Sequence, residues 1–184
     1  MDGDVTLRPW RDEDAAEVFP VISGHRDITY WTRIPWPYTW THAQEHVRNS
    51  RAAWNAGSDA ALVIADTGTG AVLGSVGLHH INAARNPESA FYPNEIGYWL
   101  APAARGRGVA TRSVVLLSEW AFDTLHLGRL WLTVIDGNTA SVRVAERAGF
   151  RWDHQRAVGE CRDDPRAHQV FTRTIVDLER AGLV

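Results

Sequence analysis

The sequence predicts a single α+β domain, and two observations support this. Segments that alternate apolar and polar residues like half-buried strands are interspersed with segments whose apolar residues recur at helical spacing. The chain has 184 residues, with no internal repeat and no linker between its halves. We therefore expect one domain over residues 1–184, whose core needs no disulfide or metal to be stable.

The first half of the chain predicts strands and helices in alternation. Residues 5–10 alternate like a strand, and an acidic segment then opens a helical pattern. Residues 25–40 are rich in aromatic residues and prolines, which favours an irregular loop. Thr41 to Gln44 matches a capping box, which predicts a helix to about Asn55. A β-hairpin follows, with strands at 60–65 and 71–81.

The second half predicts three strand segments around two helices. A strand at 95–100 and a loop at 102–107 precede a long helix over 108–126. A buried strand at 130–135 leads to a helix over 138–148, which Gly149 ends as a left-handed cap. The segments 150–158 and 168–175 then read as a final strand pair around a turn at 163–166.

Composition excludes several classes of protein. The net charge is -3, and all 19 basic residues are arginines, so a general nucleic-acid binder is not expected. No stretch approaches the roughly 20 apolar residues of a membrane-spanning helix, and the acidic start does not resemble a signal peptide. Cys161 is the only cysteine. These features favour a cytoplasmic protein without membrane or nucleic-acid partners.

The most informative stretch is the loop between the strand at 95–100 and the following helix. It contains Arg105, Gly106, Arg107 and Gly108, followed by Val109 and Ala110. Glycines allow a backbone to approach an anion closely, and the free amides of a helix start bind phosphate. Neither a P-loop nor a dinucleotide-binding fingerprint is present. A tight loop without a ligand is the alternative.

Three motifs in order resemble those of the GNAT superfamily of N-acetyltransferases. Residues 105–110 are similar to its Arg/Gln-x-x-Gly-x-Gly/Ala loop, and residues 138–150 to its Asn-x-x-Ser-x-x-x-x-Glu-Lys/Arg-x-Gly-Phe element. Residues 94–100 are similar to the strand that precedes the loop in RimJ/RimL-type members. The flanking strands and helices agree more loosely over nearly the whole chain. The resemblance implies a mixed, strongly twisted central β-sheet flanked by helices.

The resemblance also implies acetyl-CoA as co-substrate, without a metal. Its pyrophosphate would lie on the amides of 105–110, and its pantetheine arm beside the strand ending in Tyr98, Trp99 and Leu100. Asn138 would contact it from the second helix. A backbone N–H near Leu100 would stabilise the developing oxyanion.

Direct acetyl transfer needs a proton acceptor for the amine and a proton donor for the departing thiolate. Glu95 is the expected acceptor, because it lies on the strand just before the cofactor loop. Pairing with a nearby arginine is the alternative for Glu95. Ser141 is the expected donor, one helical turn from Asn138, and a hydroxyl bonded to backbone is its alternative.

Other residues have weaker predictions. Cys161 could carry an acyl intermediate but lies outside the motifs. His42 and His46 read as a solvated helix face. His79 and His80 should point to opposite sheet faces, with one near the acceptor. Trp31, Trp36 and Tyr38 lie on the acceptor side in the resemblance, where they would line the pocket, form a dimer contact or simply pack. Six tryptophans lie within strand or helix patterns and are expected in the core: Trp10, Trp54, Trp99, Trp120, Trp131 and Trp152.

The sequence therefore predicts an acetyltransferase that uses a ternary complex. The expected acceptor is a primary amine, either a protein N-terminus, as on a ribosomal protein, or a small molecule. A coenzyme A-binding module without catalysis and a transferase of a larger acyl group, such as succinyl, are the alternatives. The protein is expected to be a monomer or a homodimer.

Overall fold

A computed structural model describes residues 2–85, 91–160 and 164–176, which form one seven-stranded sheet with helices on both faces. The strands are β1 Val5–Pro9, β2 Ala60–Asp66, β3 Val72–His79, β4 Glu95–Leu100, β5 Arg129–Ile135, β6 Arg151–Arg156 and β7 His168–Thr174. The helices are α1 Asp14–Ser23, α2 Arg26–Tyr30, α3 Trp40–Ala56, α4 Val109–Asp123 and α5 Thr139–Arg147. The predicted α+β class is confirmed.

The sheet is mixed, with the strand order β1-β2-β3-β4-β5-β7-β6. The strand pairs are antiparallel, except that β4 and β5 run parallel. A parallel pair needs a crossover connection, and α4 supplies it. The single parallel pair lies near the centre of the sheet, and the glycine loop and α4 connect its two strands.

Alternate residues of the strands face two separate cores. On one face, Leu62 and Ile64 pack in the same cluster as Val114 and Leu117 of α4. On the other face, Val63 packs with residues of α1 and α3. Because successive side chains of a strand point to opposite faces, β2 contributes to both cores, and its residues are almost entirely apolar. Burial on both faces fixes the register of the sheet.

The sheet opens between β4 and β5. Glu95 opposite Trp131 is the one residue pair of their register among the described residues. The amide of Trp131 also donates to the carbonyl of Asn94 at 3.1 Å. Beyond this point the two strands diverge, and the gap forms a wedge toward their carboxyl ends. The crossover places the glycine loop at that same end.

Two local predictions in residues 25–40 were wrong. Part of the expected loop is helical, since it contains α2. The capping box is not at Thr41, because α3 starts earlier and has Thr39 as its N-cap. The Thr39 hydroxyl accepts from the amide of His42 at 3.2 Å, and the His42 ring accepts from the amide of Thr39 at 3.2 Å. Histidine here does what glutamate or glutamine does in the usual box.

The tryptophan predictions were partly wrong. Trp10 and Trp99 are buried as expected, and Trp120 and Trp131 are partly buried. Trp54 is exposed on α3, where it stacks on Trp120 with ring centroids 5.8 Å apart. Trp152 is 60% exposed, because β6 is an edge strand with one uncovered face. Alternation predicts a strand but not its position at the sheet edge.

Candidate active site

A cavity of about 980 Å³ occupies the wedge between β4 and β5 and reaches both faces of the sheet. Its lining includes most of the side chains that the sequence singled out: Trp31, Tyr38, His79, Glu95, Tyr98, Trp99, Leu100, Arg105, Gly106, Gly108, Val109, Ala110, Asn138 and Ser141. Trp36 and Arg107 are not part of the lining. A cavity of this size can hold a cofactor arm and an acceptor together.

The glycine loop has the geometry of an anion cradle. Gly106 and Gly108 have φ angles of 74° and 73°, in the left-handed region that favours glycine. A Cβ added at either position would meet nothing within 4 Å, so the space beside the backbone is open. Gly108 is the N-cap of α4 and has no side chain that could satisfy the first amides of the helix. These amides are therefore available to a phosphate, and the residues present fit a pyrophosphate group.

The two arginines of the loop are engaged by protein groups. Arg105 donates to the carbonyl of Leu100 at 3.3 Å and 3.1 Å and pairs with Asp27 at 2.5 Å. Arg107 turns away from the cavity and pairs with Asp4 at 2.8 Å. Their guanidinium groups thus hold the ends of the loop. The cradle therefore consists of backbone amides, and the Arg107 side chain takes no part in the cavity lining.

Two arginines that sequence reasoning missed line the cavity instead. Arg143 and Arg147 lie one turn apart on α5 and are exposed. Among the described residues, neither forms an ion pair with an acidic side chain. Their i, i+4 spacing, which puts them on one helix face, was the available sequence signal. They give the cavity mouth a positive edge next to the loop.

Tyr98 and Ser141 form a direct hydroxyl pair in the cavity. The Tyr98 Oη and Ser141 Oγ atoms are 2.6 Å apart. The Asn138 side chain caps α5 by accepting from the Ser141 amide at 3.1 Å. Burial raises the pKa of Tyr98 to about 12, although the hydrogen bond to Ser141 acts the other way. Ser141 thus bonds to a side chain rather than to backbone, and Tyr98 stays protonated at neutral pH.

Glu95 is buried at the narrow end of the wedge, where both of its oxygens have donors. Oε2 accepts from the amide of Tyr92 at 2.9 Å, and Oε1 accepts a short hydrogen bond from the Thr133 hydroxyl. The Arg33 guanidinium lies 3.6 Å from Oε1. The alternative expected for Glu95, pairing with an arginine, is therefore also present. The carboxylate is fixed in place and faces the cavity.

Arg33 links Glu95 to a second buried carboxylate, that of Asp164. Arg33 Nε lies 3.5 Å from Asp164 Oδ2, and its guanidinium stacks 4.3 Å from the ring centre of Phe91. Arg166 donates two hydrogen bonds of 2.8 Å to the carboxylate of Asp164. Burial raises the pKa of Asp164, but the bonds from Arg166 outweigh it and lower that pKa to about 2. This network joins the segment after α2 to the segment before β7.

His79 is held against the floor of the cavity by Asp59. Its Nδ1 atom lies 3.1 Å from Asp59 Oδ1, which also accepts from the His80 amide at 3.2 Å. Burial raises the pKa of Asp59, but the hydrogen bonds from His79 and the His80 amide outweigh it and lower that pKa. The His80 ring packs at a tilt of 57° against Phe91, with ring centroids 5.0 Å apart. Both histidines line the cavity.

The prediction that His42 and His46 form a solvated helix face was wrong. Both line the cavity, and His46 packs edge-on against Trp10 with ring centroids 4.8 Å apart. Burial, with a smaller contribution from His79, lowers the pKa of His46 to about 4. His46 is therefore neutral at pH 7. Periodicity placed both residues on a helix but could not show that this face covers a cavity.

The aromatic residues of the early segment divide into two groups. Trp31 and Tyr38 line the cavity, and Tyr38 is 7% exposed. Burial raises the pKa of Tyr38 to about 12, so its hydroxyl is neutral. Trp36 is 48% exposed, with Arg26 5.9 Å from its ring centre. The expected pocket role of Trp36 therefore has no support in its placement.

The described residues contain neither a cluster of metal ligands nor a membrane-spanning helix. In residues 2–85, 91–160 and 164–176, no group of three or more His, Cys, Asp or Glu side chains could hold a metal ion. Over the same ranges, no helix has the length and hydropathy that crossing a bilayer requires. Cys161 and part of the turn expected at 163–166 lie outside the described residues.

Comparison with known proteins gives three informative similarities. YdaF of Bacillus subtilis (strain 168), provisionally named a ribosomal N-acetyltransferase, is 33% identical over 81 residues, or 44% of this chain and 41% of YdaF. The chain thus matches less than half of that relative. RimJ of Mycobacterium smegmatis, solved with CoA-disulfide, is 26% identical with a TM-score of 0.76, covering 98% of this chain and 90% of RimJ. The ribosomal-protein-S5-alanine acetyltransferase of Vibrio fischeri shares the fold, with 18% identity, a TM-score of 0.75, and coverage of 95% and 94%.

A family model supplies the remaining comparison. The model described as an acetyltransferase (GNAT) domain matches residues 4–151, well over half of the chain. This range contains the wedge, the glycine loop and the pair formed by Tyr98 and Ser141. The chain therefore belongs to the GNAT acetyltransferase family.

Proposed function

We propose that this protein transfers the acetyl group of acetyl-CoA directly to a primary amine, with both substrates bound at once. The observation that carries the proposal is the continuous cavity. It extends from the anion cradle at Gly106 and Gly108 to the buried carboxylate of Glu95, and the pair of Tyr98 and Ser141 lines it as well. A cofactor in the cradle and an acceptor beside Glu95 would therefore meet in the wedge.

The cradle amides of residues 106–110 would bind the pyrophosphate, and Arg143 and Arg147 would neutralise further phosphate charge at the mouth. The strand residues Tyr98, Trp99 and Leu100 would flank the pantetheine arm. Asn138 would act through its cap of α5, which positions Ser141. When bound, acetyl-CoA supplies an acetyl group activated as a thioester.

The protein groups would then manage the protons. An ammonium cannot attack a carbonyl, so the acceptor must first lose a proton, and Glu95 is the proposed acceptor of it. The thiolate that leaves needs a proton, and the pair of Ser141 and Tyr98 is the proposed donor. A tyrosine whose pKa is about 12 keeps its proton until the leaving group develops charge.

The α-amine of a protein N-terminus is the proposed acceptor. Such an amine has a pKa near 8, against about 10.4 for lysine, so a carboxylate base removes its proton at a smaller cost. The names of the relatives YdaF and the Vibrio fischeri enzyme, which point to ribosomal proteins, support a protein acceptor. A ribosomal protein is therefore the proposed class of target.

An acceptor competition tests this function. Thiol release from acetyl-CoA would be measured with three acceptors: a lysine-free peptide with a free N-terminus, the same peptide with a blocked N-terminus and one internal lysine, and a small aliphatic amine. We expect the first to react at least tenfold faster, by kcat/KM, than the other two. The same assay with succinyl-CoA in place of acetyl-CoA tests the alternative of a larger acyl group.

The variant Glu95→Gln keeps the shape of the side chain and removes its basicity. We expect kcat to fall about 100-fold or more, with acetyl-CoA affinity unchanged. The exposed Glu146→Gln on α5 is the matched control. Thiol release that no amine accelerates would refute the proposed function, and equal rates with the lysine peptide would refute the proposed acceptor.

A further inference from the structure

Three polar side chains form a row across neighbouring strands on one face of the sheet. His79 on β3 is the register partner of Glu95 on β4. Directly opposite residues of antiparallel strands have their Cβ atoms about 5 Å apart on the same face. Asp59, just before β2, accepts from His79 on the other side at 3.1 Å. The order across the sheet is carboxylate, imidazole, carboxylate.

Two glycines fix how the imidazole of His79 lies. A Cβ added at Gly77 would be 2.6 Å from His79 Nε2, and one added at Gly97 would be 3.8 Å from it. The ring therefore lies over the backbone of Gly77, because the Cβ of any other residue there would collide with it. Because Asp59 engages Nδ1, a proton on that nitrogen leaves Nε2 as the acceptor of the neutral ring. His79 is thus held in one orientation on the cavity floor.

Burial differs sharply within the row. The Glu95 side chain is 6% exposed, whereas the His79 side chain is 40% exposed. The ionisable groups that face His79 are Asp59 before β2, Glu95 on β4 and His46 on α3. His46 is neutral at pH 7, so the two carboxylates set the charge around the ring. His79 is therefore the register neighbour of a buried carboxylate and is itself open to the solvent side of the cavity.

The reaction itself requires such a connection. When the acceptor enters as an ammonium, a C–N bond forms, the C–S bond breaks, the thiol keeps one proton, and one net proton must leave at each turnover. Glu95 is only 4% exposed, so its own path to bulk solvent is narrow. We propose that His79, oriented by Asp59, is a proton-relay residue that takes the proton from Glu95 and releases it to solvent. This proposal rests on the proposed function.

Chemical rescue tests the relay. The variant His79→Ala would be assayed with saturating acetyl-CoA and the N-terminal peptide, at pH 7 in dilute buffer. We expect kcat to fall about tenfold with acetyl-CoA affinity unchanged. Added imidazole should then raise kcat toward the wild-type value in a saturable way, because a diffusible base replaces the missing ring. The wild type should not respond to imidazole.

Three further variants separate a relay from a structural role. His79→Gln fills the space without carrying a proton, and it should lose activity as His79→Ala does. Asp59→Asn should also lower kcat, since it removes the partner that sets the ring. His126→Asn, at an exposed histidine away from the cavity, is the control and should behave as the wild type.

The outcomes separate the two proposals. If kcat of His79→Ala does not depend on imidazole, the relay is wrong while the acetyl transfer stands. If Glu95→Gln stays active while His79→Ala does not, His79 takes the proton directly and the proposed order is wrong. If imidazole rescues Glu95→Gln equally, the relay is also wrong. If the wild type acetylates no amine, the proposed function fails, and the relay fails with it.

Discussion

The proposed cofactor side and the proposed acceptor side of the cavity are built in different ways. The cofactor side depends on backbone: two glycines with positive φ and the free amides of one helix start, all within residues 106–110. The acceptor side depends on side chains from distant segments, among them Asp59, His79, Glu95 and Asp164. A contiguous loop can be recognised as a motif, whereas a site assembled by strand register cannot. The two sides should therefore respond differently to substitution.

The largest effect is expected at the glycine loop. Gly108→Trp forces a bulky residue into the left-handed region and fills the open space of the cradle. We expect acetyl-CoA affinity to fall at least 100-fold by calorimetric titration. Gly70→Trp is the matched control, because Gly70 has a φ of 76° and equally open space in the turn between β2 and β3. Equal losses in both variants would show that strain, not the cradle, explains the effect.

A smaller effect is expected at the hydroxyl pair, which lies between the two sides. Tyr98→Phe removes one hydroxyl, and kcat should fall about 10- to 100-fold with little change in KM. Ser141→Ala should do the same, and the double variant should be hardly worse than either single one, because the two groups act as a unit. Additive losses would contradict a shared role. Since the pKa of Tyr98 is about 12, its titration should leave activity unchanged below about pH 11.

The acceptor-side network should have its main effect on stability. Asp164 has a folded-state pKa of about 2, below its usual value of 3.8, so its stabilisation is present above pH 4 and is lost as pH falls through 2. Asp164→Asn should lower the free energy of unfolding by about 2 kcal/mol at pH 7, and this difference should shrink toward pH 2. Urea unfolding at several pH values measures it. Asp12→Asn, in an exposed ion pair with Arg51, should change stability much less. A pH-independent difference would contradict this origin.

The smallest effect concerns the early aromatic segment. Trp31 lines the cavity and Trp36 does not. Trp31→Ala should therefore raise KM for the amine several-fold, whereas Trp36→Ala should change it less than about twofold. Steady-state kinetics with the peptide acceptor distinguish them. A larger effect at Trp36 would show that the acceptor contacts the outer surface as well as the cavity.

The sequence predicted the fold class, the glycine loop and the strand before it, because each is a local pattern. The positions of Ser141 and Asn138 in the cavity could also be predicted, because both residues belong to one contiguous motif. The contact of Tyr98 with Ser141 could not be predicted, because 43 positions separate the two residues. The arrangement of Asp59 beside His79 likewise depends on the register of β2 with β3.

The capping box and the histidines of α3 failed for a related reason. Thr39 and Thr41 both precede plausible helix starts. The hydrogen bond that the His42 ring accepts from the Thr39 amide decides between them. Periodicity assigned His46 to a helix, but which helix face covers a cavity depends on the tertiary packing of α3 on the sheet. Local patterns thus identify a helix or a strand more readily than the elements that pack against it.

The arginines in and beside the glycine loop already have carboxylates as counterions. Asp4 pairs with both Arg107 and Arg112, and Asp27 pairs with Arg105, so three guanidinium groups share two carboxylates. An incoming anion therefore meets a loop whose nearest guanidinium groups carry resident counterions. Its attraction would come from uncharged amides, from the one positive charge that the two carboxylates leave over, and from Arg143 and Arg147, or from displacing a carboxylate. We therefore expect the loop to favour a ligand that can match backbone geometry over simple salts that offer charge alone.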